Sequence, residues 1–317
     1  MLPSCASGLL IRSRHDDPAE RRAHARGELV RVAPGRYVRV ADWAPLSPED
    51  RVVVRAVAGL GRLGQTGLAL SHTSAAALWG MPLVGREPAS VTATDPDRQR
   101  THTGRHLTKY AARLADDDVE VLDGLTVTSP ARTLVDLALS TSRSQAVAAL
   151  DHSLRTQLCT GDDYWAALDR RDRVRGSIRA SWAGSFASPL AESAGESVLR
   201  VTLEGLGFPA PELQHAFTDG DGLIGHADFW WDRVGVLDEF DGLVKYRDPA
   251  MRGGLSAEDV VVREKIREDR LRALTEVRGV VRTVWADFSR PEGIAAALER
   301  SGLPRERVGF RRLDQTG

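Results

Sequence analysis

Three carboxylates set in strand-like sequence raise the question of chemistry. In Ile224 to Lys245, IGHADFWWDRVGVLDEFDGLVK, two apolar runs, Leu223 to Trp231 and Val234 to Phe240, flank Asp232 and Arg233, a spacing that predicts a β-hairpin with a two-residue turn. That turn sets Trp231 against Val234 and Asp228 against Leu237; Glu239 and Asp241 share the face of Leu237, so all three acids gather on one surface. Asp228 and Glu239, diagonal across the pair, would stand roughly 7–8 Å apart at the backbone, within reach of one hard divalent ion. A slip of one residue would send the acids to opposite faces. The competing explanation is a sheet edge blunted by charge. Against it, Phe229, Trp230, Trp231, Val236, Leu237 and Phe240 make both runs apolar on both faces, as in a covered sheet. Carboxylates gathered there repel one another unless a cation, a Lys or a shared proton compensates them.

Lysine usage points to the same place. Of 43 basic residues only Lys109, Lys245 and Lys265 are Lys, and the last two flank the carboxylates. A Lys brings a compact, titratable amine where Arg brings a planar fork that stays charged. Upstream, a helix near Glu192 to Leu206 carries the stripe Leu199, Leu203 and Leu206, with Glu196 on the same face. Glu196 there either joins the acidic set or completes the capping box Ser193-x-x-Glu196.

The segments ESVLR (Glu196 to Arg200), HADFWW, EFDGLVKY (Glu239 to Tyr246), EKIRED (Glu264 to Asp269) and VVRTVWADF (Val280 to Phe288) follow one another in an order that resembles the PD-(D/E)XK nuclease fold, and more closely its very-short-patch-repair endonuclease branch, over about residues 190 to 288. The resemblance implies a restriction-endonuclease-like mixed sheet flanked by helices and a Mg²⁺- or Mn²⁺-dependent endodeoxyribonuclease. Asp228, Glu239 and Asp241 would be the metal ligands, with Glu196 a further one, and Lys245 or Lys265 would act on the water or the phosphate. This chain departs from the pattern in two places. Asp241 stands at the third position of the E-x-K triplet, and Asp238 stands where an apolar residue is expected.

A second set of chemically suggestive residues lies near the N-terminus. Between Arg12 and Arg39 eight arginines face four carboxylates, a local charge of +4 in a chain whose net charge is −1. Asp17 and Glu20 frame a helix that starts at Pro18 and stops at Gly27, and Leu29 to Val32 with Arg36 to Val40 reads as a hairpin turning at Pro34-Gly35. A helix followed by a basic hairpin is the shape of a winged helix, with Arg21, Arg22 and Arg26 on the helix and Arg31, Arg36 and Arg39 on the wing as candidate contacts to double-stranded DNA. The alternative is a solvated Arg face. ARGELVRVAPGRYV (Ala25 to Val38), and after it SHTSAAALWG and DGLTVTSPARTLVDLA, resemble the winged helix and the following region of AbiEi-type antitoxins. That resemblance implies a DNA-binding repressor with a cognate toxin as partner.

Between these ends the pattern predicts a mostly helical middle domain, with helices from Ser47 to Leu60, Ala69 to Gly80, Pro130 onward and Gln145 to Leu154, and one short strand at Val91 to Thr94. Asp116 to Asp118 reads as a solvated turn. The predicted organisation is α/β, α+β overall: a winged helix over 1–45, the middle domain over 46–168, an Arg-, Gly- and Ser-rich linker over 169–189 and the nuclease-like domain over 190–317. Hydrophobic content of 42% and charged content of 27% fit a soluble protein. No apolar run reaches the roughly 18 residues of a membrane span, so a cytoplasmic location is expected. Two distant cysteines exclude a disulfide framework, and no Gly-rich phosphate loop is present. Two functions follow: a metal-dependent nuclease guided to DNA by its winged helix, or a non-catalytic antitoxin-type repressor.

Overall fold

Proline suits the first turn of a helix, where its missing N–H is no loss, and glycine suits the residue past its end; Pro18 and Gly27, at φ +77°, frame the first basic element in this way. The computed structural model describes residues 3–13, 18–60, 67–171, 174–242 and 257–306. The chain divides into two units, Met1–Pro189 and Leu190–Gly317.

The first unit begins with α1 (Pro3–Gly8), β1 (Ile11–Arg12), α2 (Pro18–Ala25), β2 (Leu29–Ala33) and β3 (Arg36–Arg39), the strands forming a sheet in the order β1-β3-β2. The hairpin pairs Val30 with Val38 and Arg31 with Tyr37, and Gly35 at φ +68° supplies the left-handed residue that a type II turn needs after Pro34. There follow α3 (Val40–Trp43), α4 (Pro48–Leu60), β4 (Ala69–Leu70), α5 (His72–Leu78), β5 (Val91–Asp95), β6 (His102–Thr103), β7 (Leu107–Ala111), β8 (Val119–Leu122) and β9 (Leu125–Thr128). Four helices close the unit: α6 (Pro130–Ser140), α7 (Arg143–Arg155), α8 (Gly161–Asp169) and α9 (Ser177–Phe186).

Strands β4 to β9 form one mixed sheet in the order β6-β7-β5-β4-β9-β8. This corrects the expectation of a mostly helical middle domain. The strands are two to five residues long, too brief to show a period in the sequence. Val30, Val32, Ala33 and Val38 of the basic hairpin share a single core with Val91, Leu107 and Val127 of the larger sheet. The hairpin is thus anchored on that sheet and not hung beside it.

Two further expectations change. Asp118 is buried, not a solvated turn residue: its carboxylate takes Arg132 Nη1 at 2.6 Å and Arg170 Nη2 at 3.1 Å, and Arg132 also reaches Asp136 at 3.0 Å. The stretch expected as a linker contains α9, whose Ala180 and Ala183 are buried and whose Ala180 carbonyl accepts the Tyr164 hydroxyl at 2.8 Å. Small residues that look like linker composition are there because a tyrosine lies against the helix; a Cβ on Gly184 would come within 2.6 Å of the Tyr164 ring.

The second unit runs α10 (Ala194–Leu206), β10 (Glu212–Asp219), β11 (Gly222–Trp231), β12 (Val236–Asp241), α11 (Ala257–Ala273), β13 (Gly279–Val284) and α12 (Pro291–Arg300). Its sheet has the order β10-β11-β12-β13, antiparallel through β12 and parallel between β12 and β13. Leu199, Leu203, Phe229, Trp231, Val236, Phe240, Val281, Ile294 and Leu298 form the core on the face covered by α10 and α12. Phe217, Ala227, Trp230, Leu237 and Leu271 form the core on the other face, under α11. Both faces of this mixed sheet are therefore covered, as the two-sided apolar runs of β11 and β12 require. Among the described residues no helix is long and apolar enough to cross a membrane.

Candidate functional site

The turn that was to set the acidic hairpin is longer than its sequence suggests. Trp231 pairs with Val236, Trp230 with Leu237 and Phe229 with Asp238, so four residues, 232–235, make the connection in place of two. Val234 and Gly235 both donate to the Trp231 carbonyl, and Gly235 takes φ +71° with no room for a side chain, since a Cβ would lie 2.3 Å from the Glu276 carbonyl. The register therefore moves by two residues, and Leu237 stands opposite Trp230 in place of Asp228. A shift of two preserves the face that a shift of one would have reversed.

The acids nonetheless do not gather on one surface. Side chains two apart on a strand normally share a face. Here Ala227 belongs to the core under α11 and Phe229 to the core under α10. On the neighbouring strand Leu213 packs with the α10 core, while His215 meets Phe217 edge-on and stacks on Trp230, both of the other core. Both strands change face together at Gln214 and Asp228, where Gln214 adopts the left-handed φ of +54°. A non-glycine residue held there is strained by about 1 kcal/mol or more. The displaced Asp228 carboxylate accepts the Phe240 N–H at 2.8 Å and the Gln214 amide at 3.2 Å, and the same amide nitrogen donates to Glu196 at 3.1 Å. Asp228 is thereby drawn toward α10, whereas Glu239 reaches toward α11: its Oε1 lies 2.6 Å from Arg267 Nη2 and its Oε2 3.6 Å from Arg282 Nη2.

Ser193 caps α10, its hydroxyl accepting the Glu196 N–H at 3.2 Å, while the Glu196 carboxylate reaches the residue before the cap and not the Ser193 N–H of a capping box. That carboxylate accepts the Ser193 hydroxyl and the Glu192 N–H, both at 2.8 Å, in addition to the Gln214 amide. Burial, reinforced by the nearby Asp228 charge, raises its pKa to about 7. Asp238 is fully buried, and the single hydroxyl of Thr283 lies between its two carboxyl oxygens, at 3.1 and 3.0 Å. Burial drives its pKa to about 8, against the Thr283 bonds and with help from Asp228 and Glu239. Asp241 ends β12, half-buried and in register with Val284. Lys265 lies exposed on α11, and Lys245 lies outside the described residues.

This donor set does not fit a divalent ion as it stands. Asp228 and Glu196 are engaged by N–H and O–H donors, Glu239 faces two guanidinium groups, and among the described residues no three His, Cys, Asp or Glu side chains converge to hold a metal. Gln214, Arg267 and Arg282 are the residues that sequence reasoning missed. None of them carries a local signal: an amide in a strand and two arginines on neighbouring elements are ordinary until the fold brings them to the carboxylates.

The basic surface is arranged differently. No residue of α2 is buried, and Arg21, Arg22, Arg31 and Arg39 are exposed. Arg26 is held by Glu28 at 2.6 and 3.0 Å, which removes it from the free set, and Arg36 is half-buried with Nη1 on the Gly35 carbonyl.

Comparison with known proteins locates one of the two resemblances. Residues 67–182 match the family of the AbiEi antitoxin C-terminal domain. Over 281 residues the chain is 29% identical to the uncharacterized proteins MT2308 and Rv2248 of two Mycobacterium tuberculosis strains, covering 88% of this chain and 97% of each relative. The crystal structure of the RV2827C protein from Mycobacterium tuberculosis aligns with 69% of this chain and 90% of its own, at 18% identity and a TM-score of 0.36.

Proposed function

We propose that this chain is a DNA-binding regulator of the antitoxin type, acting in the cytoplasm on double-stranded DNA and paired with a cognate toxin. The observation that carries the reading is the antitoxin-domain match at residues 67–182, preceded in the chain by a helix and hairpin on which Arg21, Arg22, Arg31 and Arg39 are exposed and, among the described residues, unpaired with any carboxylate. Arg31, Arg36 and Arg39 on the hairpin would contact phosphates, and Arg21 and Arg22 on α2 would lie against a groove. The core shared by hairpin and larger sheet would hold that interface rigid.

The test is a binding titration of the full chain, over a range of salt, on duplex DNA from upstream of its own gene. Replacing Arg31, Arg36 and Arg39 together with Ala should weaken binding and flatten the salt dependence by about 0.9 unit of slope per lost phosphate contact. A folded triple variant with unchanged affinity and slope would remove the hairpin from the interface. Co-expression with the product of a neighbouring gene, scored as relief of growth arrest, tests the toxin partner.

The nuclease reading has one observation in its favour, the approach of Glu196 to Asp228 through Gln214. It has against it the guanidinium groups on Glu239. It stands or falls on cleavage of duplex DNA with millimolar Mn²⁺.

A further inference from the structure

The strand β8 ends the six-stranded sheet, and its Val121 is 75% exposed, the most exposed large apolar side chain in any described strand. Its backbone is open as well. Asp123 at φ +49° and Gly124 at φ +78° make a two-residue turn of the I′ kind, which sets Leu122 and Leu125 as a hydrogen-bonded pair. Such pairs alternate along an antiparallel ladder, so Glu120 and Val127 form the next one, and the N–H and C=O of Val121 point away from β9. The Ser129 N–H, bonded to the Asp118 carbonyl, keeps the same phase. The Val119 carbonyl points outward too, while the Val119 N–H is taken by the Asp116 carbonyl. Among the described residues no backbone group meets these three outward groups.

A short strand with acidic neighbours is one way in which a sheet blunts its edge. That explains the acids but not the valine, since an apolar side chain beside free backbone groups is what an added strand uses. It also leaves the adjoining cleft unexplained. This cleft, of about 350 Å³, is lined among others by Asp117, Glu120, Pro130, Cys159, Asp163 and Arg170. Asp118 already holds its one guanidinium, Arg170, at 3.1 Å. From Asp116 to Ser129 the chain exposes Asp116, Asp117, Glu120 and Asp123 and contains no Lys or Arg. The charge selects the occupant. A second copy of this chain, paired across β8 by a two-fold axis, would set these acids against themselves, and like charges across a strand pair oppose pairing. Duplex DNA is repelled for the same reason. An extended segment that carries Lys or Arg is the complement.

We propose that the free edge of β8 takes an extended segment of a partner protein as a seventh strand, with a Lys or Arg of that segment seated in the acidic cleft. Main-chain bonds to Val119 and Val121 supply the affinity, and the cleft supplies the choice of sequence. The inference rests on the partner half of the function proposed above and names the chemistry that partner must offer; it needs none of the DNA contacts.

The experiment titrates the full chain with two fluorescein-labelled peptides, one alternating Thr with Arg and one alternating Thr with Glu. The Thr–Arg peptide should bind and the Thr–Glu peptide should not. Val121→Pro removes the outward N–H and leaves the ladder to β9 intact, a place where an edge strand tolerates proline, and should weaken binding by about tenfold. Asp117→Asn with Glu120→Gln should weaken it by about fivefold at low salt and less at high salt. In the wild type the Val121 amide should exchange more slowly with solvent when the Thr–Arg peptide is bound, a readout that holds even where the proline variant misfolds. Equal binding of the two peptides, binding of neither, or binding without protection of the Val121 amide overturns the inference. A wild-type dimer that Val121→Pro dissociates also overturns it, because the occupant is then a second copy. Peptide binding alongside a failed co-expression rescue keeps the surface and removes only the toxin, whereas rescue that persists in Val121→Pro keeps the partner and removes the surface.

Discussion

The two charged regions of this molecule handle charge in opposite ways. Around α2 and the hairpin, Arg21, Arg22, Arg31 and Arg39 stand exposed and, among the described residues, are not paired with carboxylates. Around β11 and β12, carboxylates are buried or half-buried and four of them have protein partners: Gln214 and a backbone N–H for Asp228, two arginines for Glu239, a serine and a backbone N–H for Glu196, a threonine for Asp238. Unneutralised surface charge costs little in water and remains available to a ligand. Charge inside a sheet must be satisfied by the fold or by a bound group. The difference teaches that acid-rich strand sequence is weaker evidence for a metal site than its residue types suggest, because amides, hydroxyls and arginines can do what an ion would do.

Ways to break this contrast run from large effects to small. The largest is expected from Gly195→Ala on α10. A Cβ there would stand 1.9 Å from the Phe240 ring, which is packed in turn against Trp285 and Phe288. Overpacking of this kind should destabilise the second unit by about 3 kcal/mol, seen as an early transition in chemical denaturation. A neutral outcome would mean that α10 is not seated on β12, and the partners assigned to Glu196 and Asp228 would go with it.

Next comes pH. The Asp238 and Glu196 carboxyls have folded-state pKa values near 8 and 7, above their ordinary values of 3.8 and 4.5. Between those limits the folded state holds more protons than the unfolded one, so stability falls as pH rises. The contribution is complete below about pH 4 and is lost by about pH 8. Melting temperature should drop by several degrees from pH 5 to pH 8, and Asp238→Asn should remove most of that slope while raising stability at pH 8. A flat profile in the wild type would show that both groups stay ionised.

A smaller effect, about 1–2 kcal/mol of destabilisation, is expected for Asp228→Ala, which strips the acceptor from the Phe240 N–H and the Gln214 amide. Thermal melts of this variant and the wild type with and without millimolar Mn²⁺ sharpen the comparison. With Asp228, Glu196 and Glu239 already partnered, the wild type should show no metal-dependent rise. A rise that disappears in Asp228→Ala would restore the nuclease reading. The exposed arginines Arg21, Arg22, Arg31 and Arg39 should contribute least to stability, within about 0.5 kcal/mol, as surface substitutions do; their effect belongs to DNA binding.

What the sequence determined by itself was local. Pro18, Gly27 and the Pro34-Gly35 turn mark a helix and hairpin through their own backbone preferences, Ser129-Pro130 starts α6, and Ser193-x-x-Glu196 starts α10, because caps and turns are decided by neighbours within four residues. The parity of β11 against β12 was also legible, since alternation survives a two-residue error in the turn. Tertiary structure decided the rest. The face switch at Gln214 and Asp228 follows from one left-handed residue that no propensity announces. Arg267 and Arg282 reach Glu239 from α11 and β13, 28 and 43 residues along the chain, and the basic hairpin shares its core with strands of the larger sheet far along the chain. Such pairings are set by how faces bury one another, and apolar burial, being non-directional, leaves no spacing in the sequence from which a polar partner can be read.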